Sequence, residues 1–144
     1  MNHTRGGTLL RIFAAALIAF SANAVAQGME PGEWQFDVTM TSPMMPKPQA
    51  STFTRCMKPE DTREPGKILG QPQQGDCTVI PGAKSADSFS WELSCPKTGM
   101  QGKGSVRYGR GTLESEMQMA GEMQGRKFDM TTKTSGKRLG PCKS

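Results

Sequence analysis

The chain has 144 residues, 18 Lys and Arg against 13 Asp and Glu, a net charge of +5, and only one histidine, His3. Its basic residues are scattered singly apart from Arg126-Lys127 and Lys137-Arg138, with none of the basic, aromatic-laced stripe of a nucleic-acid binder, so no nucleic acid is expected as a partner. A chain of this length is expected to form one domain with a modest core.

The first 26 residues read as a cleaved export signal. Arg5 and Arg11 precede an apolar run from Ile12 to Phe20, and Ala24-Val25-Ala26 supplies small residues at a cleavage site. That run is too short for a transmembrane helix, and Gln27 leaves no lipidatable cysteine, so no stable membrane anchor is expected. The mature chain, Gln27 to Ser144, would carry 16 basic residues against 13 acids, a net +3, and would enter an oxidising compartment. Its removal takes away His3, and with it every imidazole for a general base, a nucleophile system or a metal site. A non-enzymatic protein without a cofactor is the resulting expectation.

Period-two alternation then runs through most of the chain. Trp34, Phe36, Val38 and Met40 share one face of a first strand. Pro43, Pro46 and Pro48 interrupt it, since three prolines in six residues cannot sit inside a sheet. A second strand is expected near Ser51 to Met57, and Pro59-Glu60-Asp61-Thr62 suits the opening of a helical turn. Arg63 to Gly75, rich in Pro, Gly and Gln, reads as a long surface loop.

From Asp76 the spacing predicts strands joined by short turns. Facing Cys77 with Cys95 sets Val79 against Leu93 and Pro81 against Trp91, with Phe89 on the same face. A turn at Pro96 to Gln101 would pair Leu93 with Gly104, Trp91 with Val106 and Phe89 with Tyr108. A two-residue loop at Gly109-Arg110, with Gly109 at positive φ, would pair Val106 with Leu113. A loop from Gly121 to Arg126 would set Met119 against Phe128 and Met117 against Met130. One apolar face persists through all three turns, which predicts an all-β antiparallel meander of about seven strands.

The four cysteines, Cys56, Cys77, Cys95 and Cys142, contain no short-spaced pair for zinc and read as two disulfides. With Cys77 joined to Cys95, Cys56 is left for Cys142. In a flat meander those two would lie far apart, so this pairing favours a sheet curled into a barrel or half-barrel.

Three stretches carry a family resemblance: Pro31-Gly32-Glu33-Trp34, Phe53-Thr54-Arg55-Cys56-Met57-Lys58-Pro59-Glu60-Asp61, and Ser135-Gly136-Lys137-Arg138-Leu139-Gly140-Pro141-Cys142. Their order resembles the exported bacterial proteins grouped as domain of unknown function 3617, over nearly the whole mature chain. The resemblance implies a small periplasmic protein of a Gram-negative bacterium. It brings no established activity and therefore no catalytic or binding residue.

Two constellations remain as candidate sites. Gly102, Gly104 and Ser115 lie on the apolar face, where small residues leave volume that a small apolar ligand could fill. Its walls would be Trp34, Phe36, Phe89 and Trp91, with Tyr108, Met117 and Phe128; the competing arrangement lays Trp91 across the glycines. Methionine is also abundant, and thioethers are soft ligands that select Cu(I). On that reading Met44, Met45 and Met123 would be the metal donors, while Met117, Met119 and Met130 pack in the core. Glu114 and Glu116 point outward and, like Glu60-Asp61, read as solvated charges. The expected function is an envelope-accessory or binding protein for a small apolar ligand or a protein partner, with copper binding as the alternative.

Overall fold

A computed structural model describes residues 28–63 and 77–143. The expected export signal and most of the long loop from Arg63 lie outside the described residues. One antiparallel sheet contains β1 (Gly32–Thr41), β2 (Gln49–Met57), β3 (Thr78–Lys84), β4 (Ser88–Cys95), β5 (Met100–Tyr108), β6 (Thr112–Met123) and β7 (Arg126–Gly140). A single turn of helix, α1 (Pro59–Arg63), follows β2. Pro59 opens it, where the missing N–H costs nothing. The Asp61 carboxylate accepts from the Lys58 amide at 3.0 Å, which fixes the helix start.

The strand order is β2-β1-β7-β6-β5-β4-β3. β7 returns to pair along β1, so the N-terminal hairpin extends the sheet beyond the last strand. The two edges are β2 and β3, which are consecutive in the chain and do not pair with each other. This corrects the expected barrel or half-barrel: the sheet is open and not strongly curled. The reasoning from Cys56 and Cys142 failed at the strand order. Cys56 sits opposite Glu33, Glu33 sits opposite Gly140, and Cys142 follows two residues later. The bridge therefore spans one intervening strand at one end of an open sheet, with Cα atoms 5.3 Å apart. Cys77 and Cys95 form the second bridge, with Cα atoms 4.0 Å apart.

Pairing of β3 with β4 follows the expected register, Val79 with Leu93 and Pro81 with Trp91. The next three pairings are each displaced by two residues. Trp91 faces Gly104 and Phe89 faces Val106; Tyr108 faces Leu113; Met119 faces Met130. The turns explain the displacement. β4 and β5 join through Pro96 to Gly99, with Gly99 at φ 67°. Gly109 donates its amide to the Thr112 carbonyl at 2.8 Å, so the tight loop is Arg110-Gly111, and Gly109 is not at positive φ. The last turn is Gln124-Gly125, with φ 53° and 74°, the backbone signs of a type I′ hairpin. Displacement by two keeps every side chain on its expected face.

That apolar face holds the core. Trp34, Met57, Leu113 and Val106 are its most deeply buried large side chains, joined by Phe36, Trp91 and Met29. Two of the aromatic rings lie over glycines on neighbouring strands. A Cβ on Gly136 would stand 2.9 Å from Phe36 Cε1, and a Cβ on Gly104 would collide with the Trp91 indole.

Candidate functional site

The sheet presents two chemically distinct faces, because side chains alternate along every strand. On the polar face, cross-strand rows align Asp37, Ser135, Glu114, Arg107 and Ser88, and next to them Thr39, Lys133, Glu116, Ser105 and Ser90. A shallow groove of about 610 Å³ runs between these rows. Three of its charged side chains are held locally: Lys133 Nζ lies 3.6 Å from Glu116, Gln118 donates to Glu116 at 2.8 Å, and Thr52 donates to Asp37 at 2.6 Å. Among the described residues no group of three or more His, Cys, Asp and Glu could hold a metal ion.

The apolar face divides along the strands. At the end where β1 begins, Trp34 and Phe36 are buried; Trp91, in the row of Gly104 and Met117, is buried in the same cluster, and Phe89 and Tyr108 pack partly buried against it. Ring centroids lie 6.2 Å apart for Trp34 and Phe36, 5.3 Å for Phe89 and Trp91, and 6.4 Å for Phe89 and Tyr108. Of the seven residues expected to wall a ligand pocket, these five come together. They fill their own space, with Trp91 occupying the volume above Gly104. Met117 stands in the Trp91 row, on the far side of Gly104, and Phe128 lies nearer the other end of the face; both are half-buried.

From the Trp91 row toward the other end the face carries methionines, with Leu93 and Cys95 buried in the same rows. Met119 faces Met130, Met117 stands two residues before Met119 on the same side, and Met40 lies opposite Thr132, whose other partner is Met117. Met100 reaches to the position above Gly121. All five methionines are half-buried. The expected metal donors lie elsewhere. Met44 is exposed and Met45 half-buried in the β1–β2 loop, where a turn on Ser42 holds them. Met123 is the last residue of β6, at the same end of the sheet because β1 and β6 run in the same direction.

A strap that alternation does not reveal closes the aromatic end. Met29 is buried in the core ahead of β1. The Trp34 indole N–H donates to the Glu30 carbonyl at 3.0 Å. The Glu30 amide donates to the Arg110 carbonyl at 3.0 Å, and Arg110 Nε donates to the Glu30 carboxylate at 2.7 Å. Arg138 Nε donates to the Pro31 carbonyl at 2.9 Å, and its amide donates to the Gly111 carbonyl at 2.9 Å. The Arg110 and Arg138 side chains reach partners 80 and 107 residues away in the chain, beyond any local pattern. Gly32, at φ 147°, has no room for a side chain, since a Cβ would stand 2.8 Å from Arg138 Nε. Pro31-Gly32-Glu33-Trp34 and the Gly136-to-Gly140 tail thus hold the strap and the β1–β7 seam.

A family model described as a protein of unknown function (DUF3617) matches residues 29–142, from the buried Met29 of the strap to the Cys142 bridge. The chain belongs to the DUF3617 family. No curated protein and no solved structure matches it. Family membership therefore gives the extent of the matched unit and leaves the chemistry to the residues. Among the described residues no helix is long and apolar enough to cross a membrane.

Proposed function

We propose that this DUF3617 protein is an exported, non-catalytic binding protein of the bacterial envelope that takes a small apolar ligand on its methionine surface. The observation that carries this reading is the division of the apolar face. Trp34, Phe36 and Trp91 fill their own space, whereas Met40, Met100, Met117, Met119, Met130 and Phe128, in the rows around the buried Leu93 and Cys95, stay half-buried. Unbranched thioether chains adapt to irregular apolar shapes better than branched ones do, which suits a surface that accepts ligand rather than packing permanently. The non-catalytic part of this reading is supported by the lack of a histidine beyond His3. Export follows from the amino-terminal signal pattern and agrees with two closed disulfides.

Native mass spectrometry of protein isolated from the periplasm tests the reading. A retained lipid-like mass, lost in Met119→Lys, is expected. Bare polypeptide mass, together with no saturable uptake of an apolar dye, would refute it.

A further inference from the structure

We propose that Met117, Met119 and Met130 form a three-sulfur site for a soft monovalent cation, Cu(I) or Ag(I), on the β6–β7 hairpin. The site lies on the strands and not among the loop methionines because the register sets three methionine positions side by side there. Met119 and Met130 are direct cross-strand partners, a relation that places Cβ atoms about 5 Å apart. Met117 stands two residues along β6, about 7 Å away at the rise of an extended strand. Its diagonal to Met130 is of the same order. Each sulfur sits two bonds beyond Cβ on a chain with three rotatable bonds, so three of them can meet one ion at the usual metal–sulfur distance of roughly 2.3 Å.

The neighbours leave this freedom intact. Met119 leans over Gly102 on β5, where a Cβ would stand 3.4 Å from Met119 Cγ, so sharing an ion with Met130 on β7 takes a rotation of the Met119 side chain, which Gly102, lacking a side chain, does not block. Thr132 lies opposite Met117. All three methionines are half-buried, neither locked in the core nor fully hydrated.

Donor chemistry selects the ion. All four cysteines are tied up in disulfides, and the only histidine is His3, outside the described residues. Thioethers are therefore the remaining soft donors on the sheet, and thioethers select Cu(I) over divalent zinc, calcium or magnesium. No electron transfer is involved: the ion binds and leaves in the same oxidation state.

The site stands apart from the apolar-ligand reading, because Met→Leu keeps the apolar area and removes only the sulfur. The experiment titrates the full mature protein with Ag⁺, and with Cu(I) against a chromophoric Cu(I) chelator under ascorbate, following the methionine ε-methyl NMR signals. One equivalent should bind and shift the signals of Met117, Met119 and Met130. Met119→Leu and Met130→Leu should each weaken binding roughly tenfold or more, at least the cost of disturbing a metal's supporting shell. The Met44→Leu/Met45→Leu variant should bind as the parent does, and Zn²⁺ should not bind. Absence of one-to-one binding, an effect confined to the Met44/Met45 variant, or unchanged affinity in both strand variants would overturn the proposal. Dye or lipid uptake that survives in Met119→Leu while Ag⁺ binding is lost would support the metal site and separate it from the apolar-ligand reading of the same methionines.

Discussion

Gly104→Ala should destabilise the protein through a single contact. A Cβ at this position would overlap the Trp91 indole and would stand 2.9 Å even from the more distant Cη2. Trp91 is 4% exposed and packs against Phe89 at 5.3 Å, so the ring cannot swing away without disturbing its neighbour. Overpacking of this kind costs about 1–3 kcal/mol. For a domain of this size that corresponds to a fall in Tm of roughly 4–12 °C. Gly111→Ala is the matched control, because its Cβ would meet nothing nearer than Arg138 Cβ at 3.8 Å and the residue is not at positive φ. Thermal melts followed by circular dichroism give the comparison. Fluorescence in a Trp34→Phe background reports on Trp91 alone, since the chain has only two tryptophans. The double variant Gly104→Ala/Trp91→Phe should recover part of the loss, a coupling expected only of residues in contact. A Gly104→Ala melt indistinguishable from that of Gly111→Ala would refute the claim that Trp91 lies over the glycine.

The remaining expectations concern the strap, the bridges and the last turn. Met29→Ala should cost about 2–4 kcal/mol in urea unfolding because a buried side chain is lost from the core, whereas Glu30→Gln, in a partly exposed ion pair, should cost less than about 1 kcal/mol; equal effects would argue against a strap anchored by packing. Removing the Cys56–Cys142 bridge, which closes 86 residues, should lower stability by about 4–5 kcal/mol, against about 3 kcal/mol for the 18-residue Cys77–Cys95 loop in the chain-entropy model. The reverse order in denaturant midpoints would show that native packing outweighs loop closure. Gln124→Asn should raise stability by up to about 1 kcal/mol, since Asn tolerates the left-handed conformation better than Gln at φ 53°; a lower midpoint would contradict the turn assignment.

Alternation made the faces legible and left the register open. Moving a hairpin turn by one residue displaces the pairing by two, and a two-residue displacement returns every side chain to the same face. Three turns were displaced in this way without exposing the apolar row. Gln124-Gly125 lacks the Asn or Asp that marks a type I′ turn, and Arg110-Gly111 is held by the Glu30 strap and Arg138, so neither turn announced its place locally. The register in turn decided the candidate site: it put Trp91 over Gly104, closing the expected pocket, and put Met119 beside Met130.

By itself the sequence determined the strand content, the two faces, the helical turn at Pro59 and the redox chemistry of the cysteines, because each depends on residue type and spacing along a few neighbouring positions. Tertiary structure alone decided that β7 pairs with β1, that the sheet stays open between β2 and β3, and that Met29 and Glu30 close the aromatic end. Those outcomes depend on contacts made across most of the chain, where many strand orders bury the same apolar face and only packing distinguishes them.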